Sequence, residues 1–264
     1  MTERVILLST IVLAVIFTAR WLERRWPIDP HLPYDEVMAD WKATFVNLSL
    51  FTAFGPFALP ISATIVGWMG GGLIRLPTDG AWYVGSIVFY VLISDLYRYW
   101  MHRLTHAVPF LWAMHSFHHS ANALTLITGA RHFWLEKIIT GMFMPLLPIL
   151  FVIPADMAGI ISIVYFLPDG CAHLNVRFSM GRAITWINNP QWHRIHHSTQ
   201  PEHFNKNFSG GLPLWDLLFG TAWIPGREEY PPTGLVPAEQ VGIIDSIIWP
   251  FRHLWRTRRQ KSDL

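Results

Sequence analysis

Three clusters of histidine restrict the folds open to this chain more than any other feature of its sequence. They are His102-x-x-x-His106, His115-x-x-His118-His119 and His193-x-x-His196-His197. On a helix, imidazoles three or four residues apart lie on one face. A histidine directly beside one of them projects about 100° away round the axis, so it can serve a second point. The spacing therefore predicts helices that together hold two metal ions.

The number of histidines also supports two ions. A single zinc site uses three or four ligands, whereas the clusters and the isolated His173 supply nine imidazoles. One histidine is usually an ordinary hydrogen-bonded group, but that does not account for three clusters with ligand spacing. The sequence has no Glu-x-x-His pair and no His-Glu-x-x-His motif, which excludes the carboxylate-rich di-iron bundle and the zincin protease. Imidazole binds iron, zinc, copper and nickel alike, so ligand type leaves the element open.

The composition is typical of a membrane protein with a modest aqueous part. Charged residues make up 14% of the chain and hydrophobic residues 52%, against about 25% charged residues in ordinary soluble domains. Four apolar blocks cover 5–21, 44–74, 81–101 and 138–167. The fourth contains several prolines and is too short for two spans of roughly 20 residues each, which favours a bent helical hairpin. We predict an all-α fold: a polytopic membrane helical bundle of about three spans plus this hairpin, carrying a helical, histidine-rich metal-binding cap.

Basic residues predict the orientation of this bundle. Arg20, Arg24 and Arg25 lie at and just beyond the end of the first block, and the C-terminal WRTRRQKSDL is basic too. By the positive-inside rule, the histidine clusters and the C-terminus are cytoplasmic in an integral, multi-pass membrane protein. We divide the chain into N-terminal spans with their loop (1–80), a metal-binding domain (81–223) and a C-terminal cytoplasmic tail (224–264). The net charge of +2 gives no reason to expect a nucleic-acid partner.

One acidic residue precedes the first cluster at helical spacing. Asp95 lies seven residues before His102, two turns away on the same face of a helix. A carboxylate in an apolar segment is by default a functional candidate, and holding a histidine N–H is its natural role beside a metal. We therefore predict Asp95 as the catalytic carboxylate of the site. The alternative is an i,i+3 ion pair with Arg98.

Five segments together resemble the fatty acid hydroxylase/sterol desaturase superfamily. They are LISDLYRYWMHRLTH, LWAMHSFHHS, AHLNVR, NPQWHRIHHS and LPLWDLLFGT. The resemblance runs from about 88 to 223, with the motifs in the family's order and spacing. It departs at one point. Many members have Arg-x-His-Pro-x-Glu after the second cluster, whereas this chain has RHFWLE from Arg131 to Glu136.

The resemblance implies an integral-membrane oxygenase whose two iron ions are held by histidines. The positions that match the family's ligands are His102, His106, His115, His118, His119, His173, His193, His196 and His197. Such enzymes use O2 and electrons from a separate donor, a cytochrome or a ferredoxin with its reductase, to hydroxylate a lipid C–H bond of a fatty acyl, sterol or isoprenoid substrate. Desaturation on the same fold and a non-redox membrane metal-binding or transport protein are the alternatives. A tenth ligand is left open between water, Asn175 and His203.

Overall fold

A computed structural model of the chain describes residues 2–143, 147, 150–152, 157, 169–239 and 241–262. Over these residues the fold is mainly helical. The helices are α1 (Thr2–Arg25), α2 (Tyr34–Trp68), α3 (Ala81–Ala107), α4 (Pro109–His119), α5 (Trp134–Phe143), α6 (Pro190–His196), α7 (Leu214–Leu218) and α8 (Asp245–Ser262). Two short parallel strands, β1 (Ile74–Arg75) and β2 (Phe151–Val152), pair with Ile74 opposite Phe151.

The helix α4 lies at the centre of the fold and packs against α3, α5 and α8. It begins directly after α3 because Pro109 stands at its first position, where a fixed φ and a missing N–H cost nothing. Val108, the residue before that proline, is extended at φ −93° and ψ 117°, as a following proline requires. This one-residue break turns the chain, so the histidines of α3 and α4 face each other.

The core beneath α4 is apolar. Met114, Phe117, Phe133 and Trp249 form one buried cluster. The indole Nε1–H of Trp249 donates to Ser116 Oγ at 3.0 Å and so ties α8 to the side of α4 that faces this core. Burying aromatic side chains of this size contributes about 1.5–3 kcal/mol each. This cluster gives α4, and the histidines on it, a rigid base.

The short helix α6 is buried along its whole length. Asn189 caps its N-terminus by accepting the N–H of Trp192 at 3.0 Å, and Pro190 occupies the first turn. Both are preferred at a helix start. The sequence NPQWHRIHH thus encodes its own helix boundary; the last turn carries His193 and His196, and His197 is the C-cap residue.

Within the residues that the structure describes, no helix has both the length and the apolar character needed to cross a membrane. The prediction of a polytopic membrane helical bundle is therefore wrong. A span needs roughly 20 predominantly apolar residues. In the structure, two of the apolar blocks lie within helices that also contain polar and charged residues. The first turns of α2 carry Asp35 and Glu36, and the second half of α3 carries the buried Ser94 and Asp95. The predicted hairpin over 138–167 falls largely outside the described residues.

Candidate metal centre

All nine predicted histidines converge in two groups. The five-histidine group consists of His102, His106, His115, His119 and His196, and the four-histidine group of His118, His173, His193 and His197. Within each group, one ring nitrogen per residue lies within 4.8 Å of the others. The neighbours His118 and His119 fall into different groups, and so do His196 and His197. Each helical pair of adjacent histidines therefore contributes to two separate points.

Distances between the inward nitrogens fit two metal ions. The Nε2 atoms of His102 and His115 lie 3.1 Å apart. In the four-histidine group, His173 Nε2 lies 3.1 Å from His118 Nε2 and 3.0 Å from His193 Nε2. Two imidazoles bound at about 2.1 Å to one ion, roughly at right angles, have nitrogens about 3.0 Å apart. The donor set thus has the spacing of ligands around a shared ion.

The outer nitrogens of four imidazoles donate to backbone carbonyl oxygens. The pairs are His102 Nδ1 with Phe208 O at 2.7 Å, His196 Nδ1 with Lys206 O at 2.8 Å, His118 Nδ1 with Arg131 O at 3.2 Å and His173 Nδ1 with Asp169 O at 3.2 Å. A proton held on Nδ1 leaves the Nε2 lone pair free to bind a metal. The fold therefore selects the tautomer that each ligand needs.

Burial keeps these imidazoles neutral. Removal from water, reinforced by neighbouring imidazoles, holds the pKa values of His102, His106, His118 and His119 well below their usual range. For His196, burial lowers the pKa to about 3. Neutral imidazole is the metal-binding form, so at neutral pH protons do not compete for these nitrogens.

Several inward nitrogens lack a hydrogen-bond partner among the described residues although they are buried. They are Nε2 of His106, His119 and His196, and both ring nitrogens of His197. Buried polar atoms are nearly always paired because an unpaired one costs free energy. Lone pairs aimed at a metal ion in each group account for the Nε2 atoms of His106, His119 and His196 and for one ring nitrogen of His197.

The sequence model of the fatty acid hydroxylase family matches residues 87–221. This chain belongs to that family. The match confirms the resemblance seen in the five sequence segments, and it contains all nine histidines.

Three relatives illustrate the breadth of the similarity. Alkylglycerol monooxygenase of Xenopus tropicalis is 32% identical over 170 residues, which cover 64% of this chain and 36% of the relative. Ornithine lipid hydroxylase of Rhizobium tropici is 32% identical over 177 residues, or 63% of this chain and 50% of the relative. Methylsterol monooxygenase of Aspergillus fumigatus is 24% identical over 151 residues, which cover 54% of this chain and 49% of the relative.

This chain spans between 36% and 50% of the length of those three relatives. No solved structure is significantly similar to it.

In this member of the fatty acid hydroxylase family, two residues join the site that the sequence prediction did not include. Glu136 Oε1 accepts the Nδ1–H of His115 at 2.9 Å and lies 3.4 Å from His132 Nδ1. The ring of His132 stacks on that of His118, with centroids 4.2 Å apart. The segment RHFWLE contains both residues at the i,i+4 spacing of a helix. The match to the family's Arg-x-His-Pro-x-Glu pattern was hidden because His132 stands one position earlier than the family's histidine.

Glu136 is a charged group in a buried place. Burial opposes its ionisation, yet the adjacent His115 and His132 outweigh that cost and hold the pKa of the carboxyl well below its usual range. Burial lowers the pKa of His132 to about 4. Glu136 is therefore an anion that accepts from His115, the pairing by which carboxylates orient metal-binding histidines.

Asp95 lies elsewhere. Its Oδ2 accepts the N–H of Leu212 at 2.8 Å and the indole N–H of Trp215 at 3.0 Å. Arg98, the alternative partner, forms an ion pair with Asp169 at 2.9 Å. The hydrogen bonds of Asp95 thus indicate that it holds the segment leading into α7. Neither of them is made with a histidine, the contact that the sequence predicted. The spacing between Asp95 and His102 in the sequence gave no sign that this segment packs against the carboxylate.

Neither residue considered as a tenth ligand faces the two groups. The Oδ1 atom of Asn175 accepts the N–H groups of Ile28 and Asp29 at 3.1 and 2.9 Å. His203 has both ring nitrogens engaged, with Ser198 Oγ at 2.8 Å and Glu229 Oε1 at 3.1 Å. Both side chains join loops outside the centre.

Proposed function

We propose that this chain is an oxygenase that uses O2 and external electrons to hydroxylate a C–H bond of a lipid. Two iron ions would be held by the two histidine groups. One observation carries the proposal: nine imidazoles, seven of them buried and two half-buried, divide into two adjacent groups with metal-ligand spacing. The names of the relatives support the substrate class, since they specify an alkylglycerol, an ornithine lipid and a methylsterol.

The histidines of the two groups would hold the two ions. When bound, the irons would supply the redox chemistry that activates O2 toward an unreactive C–H bond. The chain's own residues orient the ligands. Carbonyl oxygens fix the Nδ1 protons of His102 and His118, and Glu136 adds a negative charge behind His115. A carboxylate in this place raises the basicity of the imidazole and strengthens its metal binding.

Aromatic side chains shield the five-histidine group from water. The ring centroid of Trp112 lies 4.8 Å from that of His106, and the ring of Phe208 lies 5.0 Å from His106. Both also approach other members of the group, with His119 5.3 Å from Trp112 and His102 5.5 Å from Phe208. Excluding water strengthens the electrostatic interactions inside a site and suppresses side reactions of reactive species.

Desaturation is the second candidate function. A putative Delta(7)-sterol-C5(6)-desaturase of Arabidopsis thaliana is 25% identical over 155 residues. The two reactions differ in the product: hydroxylation adds one oxygen atom to the lipid, and desaturation removes two hydrogen atoms.

Mass spectrometry of lipid extracts tests the proposal. Cells expressing the chain are compared with cells expressing His118→Ala, in air and under nitrogen, and iron is measured in the purified proteins. We expect an oxygen-dependent lipid that gains one oxygen atom, and about two irons per wild-type chain. The exposed His31 offers a matched control, since His31→Ala removes an imidazole that belongs to neither group and should retain product and iron. Unchanged iron content and product in His118→Ala would contradict the proposal, and tight binding of zinc alone would favour a non-redox role.

A further inference from the structure

A short loop of irregular backbone, residues 205–209, supports two histidines of the five-histidine group. His196 on α6 donates its Nδ1–H to Lys206 O at 2.8 Å, and His102 on α3 donates to Phe208 O at 2.7 Å. The orientation of two ligands from different helices therefore depends on the position of two carbonyls in this one loop. We call residues 205–209 the carbonyl loop.

The carbonyl loop has no regular secondary structure to keep it in place. Asn205 and Asn207 have φ values of 59° and 56°, in the left-handed region that only glycine and asparagine visit readily. The buried Asn207 side chain compensates by donating to Trp192 O and Trp223 O, each at 3.0 Å. Side-chain hydrogen bonds thus replace helix or sheet bonds as the support of this backbone.

Asp216 supplies the charged part of that support. It is fully buried, and its two oxygens accept the N–H groups of Phe208 at 2.8 Å and Ser209 at 2.9 Å. Thr221 Oγ1 donates to the same carboxylate at 2.6 Å. Hydrogen bonds to an ionised acceptor are roughly twice as strong as neutral ones. Asp216 is therefore the strongest single restraint on this end of the carbonyl loop.

The peptide group between Phe208 and Ser209 joins this carboxylate to the metal centre. Its N–H, from Ser209, donates to Asp216 Oδ2, and its carbonyl, from Phe208, accepts the Nδ1–H of His102. Hydrogen bonds in such a chain polarise one another. The negative charge of Asp216 thus strengthens the carbonyl as an acceptor and makes His102 a better donor to a metal.

We infer that Asp216 is a positioning residue for the five-histidine group and acts on His102 through one peptide group, as Glu136 acts on His115 by direct contact. The Nε2 atoms of these two histidines face each other at 3.1 Å, so both imidazoles have a carboxylate behind them. The inference rests on the proposed function, because it assigns Asp216 to one of the two metal sites proposed there.

Titration of the metal-free full chain with Co²⁺, followed by visible absorption, tests this inference. The wild-type chain should bind two ions. Asp216→Asn keeps the size of the side chain but removes its charge, and should weaken one of the two sites about 10–100-fold, the usual effect of losing a partner behind a ligand, while the other site keeps its affinity. The absorption bands of the weakened site should shift as well, because the orientation of His102 changes.

Two further variants make the result decisive. Asp35→Asn makes the same change of side chain at an exposed carboxylate in the first turn of α2, so both sites should bind as in the wild type. Asn207→Gly suits the left-handed backbone and loosens the carbonyl loop from its other side, so it should weaken the same site as Asp216→Asn even if that variant does not fold. Wild-type affinities in Asp216→Asn, or equal weakening of both sites in either variant, would overturn the inference. A wild-type chain that binds no cobalt would instead overturn the proposed function.

Discussion

The two histidine groups lie side by side, yet the charges behind them differ. In the five-histidine group, the Glu136 carboxylate contacts His115 directly and the Asp216 carboxylate reaches His102 through a peptide group. In the four-histidine group, His118 rests on the carbonyl oxygen of Arg131. The buried guanidinium of that arginine donates to His118 O and to Ser120 Oγ, so it holds the C-terminal end of α4.

This difference predicts two unlike metal sites on one scaffold. A negative charge behind an imidazole raises its affinity for a cation, whereas a buried guanidinium adds positive charge, here offset by its ion pair with Asp40 at 2.9 Å. We expect the five-histidine group to bind a divalent ion more tightly than the four-histidine group. Histidines that are adjacent in the sequence, such as His118 and His119, thus lie in groups with different nearby charges.

The largest effect should come from removing ligands one group at a time. His196→Ala takes an imidazole from the five-histidine group and His197→Ala takes its neighbour from the four-histidine group. Each variant should lose one of the two ions and all product, and the double variant should lose both ions. Iron per chain and the lipid product are the measurements. Loss of the same site in both variants would show that the division into two groups is wrong.

Acid should destabilise the metal-free protein through its buried histidines. Burial lowers the pKa of His132 to about 4 and of His196 to about 3, whereas an unfolded histidine titrates near about 6.5. Below about pH 6.5 the unfolded chain takes up protons that the folded chain does not, so the free energy of unfolding falls as the pH decreases. Denaturant unfolding of the metal-free protein should show this loss between about pH 6.5 and the two lowered pKa values. A stability that rises toward acid would contradict it.

Arg131→Met should destabilise the support of the four-histidine group. It leaves Asp40 buried without its cation, which typically costs about 3–5 kcal/mol. The exposed pair of Arg177 with Glu228 is the control, since Arg177→Met should leave the free energy of unfolding near the wild-type value. Denaturant unfolding of the metal-free proteins measures both. Replacing Asp40 as well, by Leu, should recover part of the loss, and a double variant no more stable than Arg131→Met would argue against the ion pair as the cause.

Glu136→Gln should weaken only the five-histidine group. The amide keeps an acceptor for His115 but loses the charge, so we expect about 10–100-fold weaker binding of one ion. Cobalt titration measures it, with the exposed Glu202→Gln as the control. Equal weakening of both sites would remove the distinction between the groups.

The smallest effect should come from Asp169→Asn. The Asp169 side chain pairs with Arg98 at the surface with 43% of its area exposed, a kind of ion pair worth about 0–1 kcal/mol. His173 takes its hydrogen bond from the backbone carbonyl of this residue, which the substitution keeps. Metal affinity should therefore stay at the wild-type value, and a tenfold change would show that the side chain matters to the four-histidine group.

Much of the metal centre could be predicted because helix geometry is local. The spacing of His118 and His119, and of His196 and His197, already implied two points of convergence, and the structure brings all nine histidines to two groups. The helix start at Asn189 and the break before Pro109 were equally local signals.

What surrounds the histidines was decided by the tertiary structure alone. Phe208 and His102 are 106 residues apart in sequence, and Asp95 and Trp215 are 120 apart. The periodicity of residues in the sequence does not predict such partners, because the hydrogen bonds involve an irregular loop whose path depends on packing. The same limit explains the error over the membrane bundle: runs of apolar residues measure hydrophobicity along the chain, whereas which side of a helix is polar, and what packs there, is determined only when the helices meet.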